Sequence, residues 1–188
     1  ELQRYFGEHR LLNTHSAEEI YNNTSAQLQQ KDFSVRNLLL KMKVEFVGTT
    51  DDPIDDLSAH ARLNKEGFAI RVAPSFRPDK AIAVEDAQSF NLYIDKLAAV
   101  TDAEITQFDE YVLALKKRHD YFHLHGCKAS DHGLEVLFAE DFTETEIKNI
   151  FETVRKGQQL DSLSVSKFKT AMMLQFGMWG HEKGWVQQ

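Results

Sequence analysis

The stretch Phe68–Lys80 (FAIRVAPSFRPDK) joins a short apolar run to a polar tail that contains proline. A similar unit precedes it, where the apolar run Val44–Gly48 (VEFVG) is followed by Thr49–Pro53 (TTDDP). In a third unit, Tyr121–His125 (YFHLH) leads into Gly126–Gly133 (GCKASDHG). Short runs of this kind predict buried strands: residues 44–48, 68–73 and 121–125. The sequence therefore favours βα units around a parallel sheet.

Helical patterns surround these units. Three pairs have the spacing of a capping box: Ser16 with Glu19, Thr101 with Glu104, and Thr143 with Glu146. A further helix is expected to begin at Pro53 with Asp52 as its cap, because proline is favoured at the first helical position. We expect a helical segment over residues 1–42, βα units over residues 43–140, and a helical pair over residues 141–188 that leads into the next strand.

Composition excludes several classes of protein. The chain has 188 residues, with 29 acidic residues against 22 basic ones and a net charge of -7. Because nucleic-acid binding requires a basic surface, nucleic acid is not an expected partner. No apolar run is long enough to span a bilayer, so a membrane is not an expected partner either. The single cysteine, Cys127, excludes an internal disulfide framework and fits a cytoplasmic location.

Polar residues follow each predicted strand, at the edge of the sheet where α/β enzymes place their chemistry. Arg77 has the planar fork that suits a carboxylate, and its alternative role is a salt bridge to Asp79. Asp131 is a candidate hydrogen-bonding group, base or metal ligand, and the alternative is an Asx-type turn. Asp51 and His132 are candidate groups for orienting a sugar hydroxyl or a metal-bound water. Helix capping remains an alternative for the acidic loop after the first strand.

The pair His123 and His125 offers a second kind of site. On a strand, residues i and i+2 share one face, so both rings could bind one metal ion. The alternative is one packed and one hydrogen-bonded histidine. Cys127 is interpreted as a buried thiol rather than a nucleophile, although His125 and His132 are candidate bases for it.

Five segments, taken together, resemble the uronate isomerase family of the amidohydrolase superfamily. They occur in family order across the chain: Leu2–Gly7; Thr49–Pro53; Phe76–Lys80; Phe122–His123 with Gly126–Cys127 and Ser130–Leu134; and Gly184–Val186. The resemblance implies part of a (β/α)8 barrel, with about three or four parallel strands and additional helices at both ends. The expected fold class is therefore α/β, a partial barrel.

The resemblance also implies an activity, namely the interconversion of D-glucuronate with D-fructuronate and of D-galacturonate with D-tagaturonate. It implies a cytoplasmic enzyme with a divalent metal, usually zinc, and a possible homo-oligomer. Family members are more than twice this length, and their metal-binding His-x-His motif is expected upstream of Glu1. We therefore expect no metal to bind tightly to this segment, and we expect the segment to be inactive alone.

Site roles carry over residue by residue. Arg77 matches a loop arginine that faces the substrate, and Asp131 matches an acidic residue at the end of a barrel strand. We assign Asp131 a hydrogen-bonding or acid–base role, Arg77 the role of carboxylate clamp, and Asp51 with His132 the orientation of substrate. The family's metal-binding His-x-His motif lies elsewhere, so His123 and His125 do not inherit that role. His123 matches the family pattern, whereas His125 does not.

Two other functions remain open from the sequence. One is a non-catalytic structural or assembly module, because a few strands cannot close a barrel and an exposed sheet edge invites pairing. The other is a small metal-dependent hydrolase that uses His123, His125 and Asp131, with His132 nearby.

Overall fold

The computed structural model describes residues 1–134 and 136–188. The chain divides into two compact units, one formed by residues 1–47 with 69–71 and the other by residues 48–68 with 72–188. The candidate site residues lie in the second unit. The division that the sequence suggested at residues 42 and 140 stays a prediction.

The first unit is mainly helical. It contains α1 (Leu2–Phe6), α2 (Ala17–Leu28), a 3-10 turn (Lys31–Phe33) and α3 (Val35–Lys41). The rings of Phe6 and Phe33 pack with centroids 5.3 Å apart. Ser16 precedes α2 as predicted, but its hydroxyl donates to the carbonyl of Leu11 instead of capping the helix.

Four parallel strands form one sheet in the order β1-β2-β3-β4. They are β1 (Phe46–Asp51), β2 (Arg71–Phe76), β3 (Ala129–Ser130) and β4 (Val186–Gln187). Phe76 pairs with Ser130, and Ser130 pairs with Gln187. The predicted fold class, an α/β partial barrel with three or four parallel strands and helices at both ends, is confirmed.

The predicted strand positions need correction. The first two strands begin two or three residues later than expected, so Thr49 and Asp51 lie within β1 and Phe76 lies within β2. The prediction of a strand at residues 121–125 is wrong, because residues 121–124 continue a helix and His125 is its C-cap. The third strand is instead the two-residue β3.

The described residues of the second unit form the α-helices α4 (Ser58–Lys65), α5 (Ala87–Thr101), α6 (Phe108–Leu124), α7 (Glu144–Arg155) and α8 (Ser162–Glu182), and a 3-10 turn (Asp79–Ile82). The capping box of Thr143 and Glu146 is present, as predicted, and opens α7. Thr101, in contrast, ends α5, and its hydroxyl donates to the carbonyl of Leu97 at 2.7 Å. The capping box that opens α6 uses Gln107 and Glu110.

The expected helix start at Pro53 is also wrong, because α4 begins five residues later at Ser58. The carboxylate of Asp52 accepts a hydrogen bond from the buried hydroxyl of Tyr93 at 2.9 Å and lies 3.3 Å from Nζ of Lys80. These partners hold the loop in a turn before the helix begins.

Phe76 lies at the centre of the core of the second unit, where it is fully buried. Its ring contacts Phe122 and Phe176 at centroid distances of 5.2 Å and 6.0 Å, and Trp185 at 6.2 Å. Because Arg77 follows Phe76 directly, this aromatic packing fixes the point at which the chain leaves β2.

Candidate active site

The carboxyl ends of the strands meet at one edge of the sheet. The amide of Arg77 donates to the carbonyl of Asp51 at 2.9 Å, and the amide of Asp131 donates to the carbonyl of Phe76 at 3.0 Å. The amide of Gln188 donates to Ser130 at 2.9 Å. Backbone pairing therefore brings the predicted site residues after β2 and β3 next to each other and aligns them with the end of β1.

Arg77 lies between two carboxylates. Its Nε donates to Oδ2 of Asp79 at 2.7 Å, and its Nη1 lies 3.5 Å from Oδ2 of Asp131. The hydrogen bond to Asp79, followed by the charges of both acids, raises the pKa of the Arg77 guanidinium. The expected salt bridge between Arg77 and Asp79 is thus present, and Arg77 contacts Asp131 as well.

Gly133 allows this ion pair to form. Its amide donates to both oxygens of the Asp79 carboxylate at 3.2 Å. A Cβ atom at position 133 would lie 2.5 Å from Nη2 of Arg77 and 2.8 Å from Oδ2 of Asp79. Only glycine fits here without displacement of Arg77 or Asp79. The sequence shows a glycine in a polar loop but does not reveal this requirement.

His132 faces the protein interior at the same edge. Its ring stacks on Phe176, with centroids 6.3 Å apart and an interplanar angle of 20°. Nε2 lies 3.2 Å from Oγ of Ser130, whereas Nδ1 is buried and has no hydrogen-bond partner among the described residues. Burial lowers the pKa of His132, so the ring favours its neutral form at this edge.

Asp51 reaches the edge by its backbone, and Oδ2 of its carboxylate lies on the side of α4, 3.9 Å from Nε2 of His60. The hydroxyl of Thr49, on the same face of β1, donates to Oδ2 of Asp51 at 2.6 Å. The side chain of Asp51 is 14% exposed. The second partner of Thr49 is His60 on α4, which the sequence interpretation did not single out.

The loop between β1 and α4 is held by buried side chains from α6 that the sequence interpretation also missed. Arg118 is 7% exposed and donates from Nε to the carbonyl of Pro53 at 2.6 Å and from Nη2 to that of Asp55 at 2.7 Å. Its guanidinium also lies 4.0 Å from the ring centre of Tyr121. These contacts fix the loop that follows Asp51.

The second kind of site, built on His123 and His125, loses its geometric basis because both residues belong to the end of α6. On a helix, residues i and i+2 do not share a face. Nδ1 of His123 accepts a hydrogen bond from Nε1 of Trp185 at 3.1 Å, whereas His125 packs on Tyr121 with ring centroids 4.1 Å apart. The predicted strand that would have pointed both rings at one metal ion is absent.

Cys127 is fully buried, and its thiol donates to the carbonyl of Ala129 at 3.2 Å. Burial raises the pKa of this thiol, which disfavours the nucleophilic thiolate. The interpretation of Cys127 as a buried thiol is confirmed.

The residues present do not fit a metal ion. Within residues 1–134 and 136–188, no group of three or more His, Cys, Asp and Glu side chains is placed to hold one. Asp79 and Asp131 are directed at Arg77 instead.

In the same described ranges, none of the helices combines the length and apolar character that a bilayer crossing requires.

Comparison with known proteins gives a consistent result. The family model for glucuronate isomerase matches residues 1–188. Uronate isomerases of Bacteroides fragilis and Cellvibrio japonicus are each 45% identical to the chain, which is covered completely, and the matched part is 40% of each relative. The chain therefore spans about 40% of the length of these curated relatives.

Solved structures agree with the sequence comparison. The crystal structure of uronate isomerase from Thermotoga maritima matches with a TM-score of 0.91 and 31% identity, over 100% of this chain and 41% of that one. The structure of glucuronate isomerase from Caulobacter crescentus matches with a TM-score of 0.89 at 24% identity, over 100% of this chain and 39% of that one. At 24% identity, the second match supports the fold alone.

Proposed function

The chain belongs to the glucuronate isomerase family, and from this membership we propose that it is the central part of an aldose–ketose isomerase. The complete enzyme would convert D-glucuronate to D-fructuronate and D-galacturonate to D-tagaturonate. The observation that carries this proposal is the contact between Arg77 and Asp131 at the carboxyl edge of the sheet. A guanidinium and the Asp131 carboxylate beside it match the two kinds of group that a uronate presents, a carboxylate and hydroxyls.

Arg77 is proposed to bind the uronate carboxylate. Uronates differ from neutral sugars by this charge, and a guanidinium can hold a carboxylate with two parallel hydrogen bonds. Asp79 takes Nε, and Asp131 lies near Nη1. Asp79 therefore orients the guanidinium, whose two Nη nitrogens each carry two N–H groups that can donate to the substrate.

Asp131 is proposed to accept hydrogen bonds from the sugar hydroxyls or to move a proton between the sugar oxygens. Its carboxylate is 26% exposed, so it can contact a ligand at the edge. Asp51 and His132 are proposed to orient the substrate from β1 and from the loop after β3.

Other properties of the complete enzyme belong to the same proposal. A divalent metal, zinc in the family resemblance, is proposed for the complete enzyme. Because the described residues do not fit a metal site, this chain's own residues are assigned only to binding the sugar and moving protons. A cytoplasmic location and a homo-oligomer are also proposed, and the single buried cysteine supports the former.

A segment exchange tests the proposal. The matching segment of the Bacteroides fragilis uronate isomerase is replaced by this chain, and isomerisation of D-glucuronate is measured for the chimera and for the isolated 188 residues. We expect turnover by the chimera and none by the isolated chain. The proposal fails if the chimera shows native circular dichroism and the same elution volume as the host enzyme but no turnover.

A further inference from the structure

Three side chains form a hydrogen-bonded series from α4 to the carboxyl end of β1. Nε2 of His60 lies 2.7 Å from Oγ1 of Thr49, and this oxygen lies 2.6 Å from Oδ2 of Asp51. Oγ1 of Thr49 also lies 3.3 Å from the carbonyl of Ala73. Both distances in the series are shorter than the distance to Ala73, so His60 and Asp51 are the main hydrogen-bond partners of the Thr49 hydroxyl.

The direction of each hydrogen bond follows from the number of protons. A threonine hydroxyl has one proton, and the ionised Asp51 carboxylate has none to donate. The distance of 2.6 Å between Thr49 and Asp51 is typical of a hydroxyl that donates to a carboxylate. Thr49 must then accept from His60, which places the imidazole proton on Nε2.

The second nitrogen of His60 supports the same assignment. His60 is 6% exposed, and its Nδ1 is buried without a hydrogen-bond partner among the described residues. A proton on Nδ1 would leave a buried N–H group unpaired. It would also turn the Thr49 proton toward His60, so that hydroxyl and carboxylate lone pairs would face each other at 2.6 Å.

Packing alone does not explain this arrangement. Valine has the shape of threonine without the hydroxyl, and an apolar residue at position 60 would leave no unpaired nitrogen. The polar pair instead holds one oxygen of Asp51, the candidate residue at the sheet edge. Because Thr49 occupies Oδ2, the other oxygen of the carboxylate points away from this hydrogen bond.

We propose that His60, acting through Thr49, is a positioning residue that fixes the carboxylate of Asp51 so that its Oδ1 accepts a hydrogen bond from a hydroxyl of the bound uronate. This inference rests on the proposed function. In this proposal His60 and Thr49 hold Asp51 in place for substrate binding. Neither residue contacts the reacting atoms or transfers a proton.

The first experiment determines the tautomer of His60 in the 188-residue chain by 15N-detected NMR of the histidine rings. The expected result is a neutral ring with its proton on Nε2. In Thr49→Val the Nε2–H signal should exchange with water faster, and in Thr49→Ser it should keep its protection. A ring protonated on Nδ1, or a signal that Thr49→Val does not change, would overturn the inference.

The second experiment measures KM and kcat for D-glucuronate in the chimera described above. Thr49→Val and His60→Leu should each raise KM about tenfold with little change in kcat, as expected when a hydrogen bond to a charged group is lost. His60→Gln should restore KM because the glutamine amide can donate toward Thr49. The double variant should be no worse than either single one, since both substitutions break the same series.

Thr50→Val is the matched control, because Thr50 is exposed and lies on the opposite face of β1. An unchanged KM in Thr49→Val, accompanied only by a lower melting temperature, would overturn the positioning role. Failure of the unsubstituted chimera to turn over glucuronate would instead count against the proposed function. In that case the NMR experiment still shows whether His60 donates to Thr49 and Thr49 donates to Asp51.

Discussion

Nη1 of Arg77 lies 3.5 Å from Oδ2 of Asp131, although 53 residues separate them in the sequence. The contact exists because β2 and β3 are parallel neighbours and both residues follow the paired positions Phe76 and Ser130. Two groups of opposite charge thus share the edge at which a sugar acid is proposed to bind.

The space beside Arg77 is predicted to require glycine at position 133. In Gly133→Ala the new methyl group would displace Arg77 or Asp79, since it would lie 2.5 Å from Nη2 of Arg77. We expect the kcat/KM of the chimera for D-glucuronate to fall about tenfold or more, since misplacement of a binding group reduces transition-state binding.

Gly177→Ala is the control for this substitution. Gly177 lies within α8, and its added Cβ would contact only the flexible side chain of Gln187, at 3.2 Å. Replacement of glycine by alanine within a helix stabilises it by up to about 1 kcal/mol. Equal losses of activity in Gly133→Ala and Gly177→Ala would contradict the prediction, because the loss would then not depend on the displacement of Arg77 or Asp79.

His119 is predicted to make stability depend on pH. Burial, followed by the nearby charge of Lys183, lowers the pKa of His119 from 6.5 to about 3. The unfolded chain therefore binds a proton at His119 below pH 6.5, whereas the folded chain does so only near pH 3. Stability should fall as the pH decreases between these values, by up to about 1.4 kcal/mol per pH unit from this group.

The measurement is urea unfolding of the 188-residue chain and of His119→Phe at pH 7, 6 and 5. Phenylalanine keeps the ring packing against Trp185, whose centroid lies 3.9 Å away, but removes the titration. As the pH falls, the chain with His119 should lose unfolding free energy relative to His119→Phe. A constant difference for His119→Phe would refute the prediction.

Phe76 is predicted to be a major source of stability. It is fully buried and contacts four other rings, so Phe76→Ala should reduce the unfolding free energy by about 3–5 kcal/mol. Leu113→Ala, at a side chain that is 70% exposed, should change it by less than about 0.5 kcal/mol. A loss below about 1 kcal/mol in Phe76→Ala would mean that the core tolerates a cavity there.

Much of the fold was predictable because strong local signals agree with the tertiary structure. The capping box of Thr143 and Glu146 satisfies backbone groups at the start of α7 by itself. The apolar run near β2 marks a strand whose Ala73 and Phe76 are buried, whereas the run near β1 marks a strand whose residues are exposed or half-buried. Strand bounds were displaced because Thr49 to Asp51 pair with a neighbouring strand, which composition does not show.

The failure at residues 121–125 has a physical reason. A short run such as this one is typical of a buried strand, but the buried positions Tyr111, Leu115, His119 and Phe122 continue a helical period of three to four. The true strand, β3, has two residues and therefore no readable period. Tertiary pairing with Phe76 and Val186, not local sequence, makes it a strand.

Part of the candidate site was predictable for the same kind of reason. Arg77 was identified because polar residues follow β2. Asp131 was identified from a predicted strand that is a helix, and β3, directly before Asp131, brings it into contact with Arg77. The roles proposed for both residues stay predictions. Asp79 had been named as a salt-bridge partner, whereas Gly133 and the pair of Thr49 with His60 were missed because their contacts join separate elements, and no spacing in the sequence reveals such contacts.

The most direct test of the central claim is kcat/KM for D-glucuronate in the chimera that carries Arg77→Met. If Arg77 binds the uronate carboxylate, this value should fall about 100-fold, while Arg71→Met, at the exposed arginine that begins β2, should leave it nearly unchanged. A folded Arg77→Met chimera that retains kcat/KM within about threefold of the unsubstituted chimera would contradict the account.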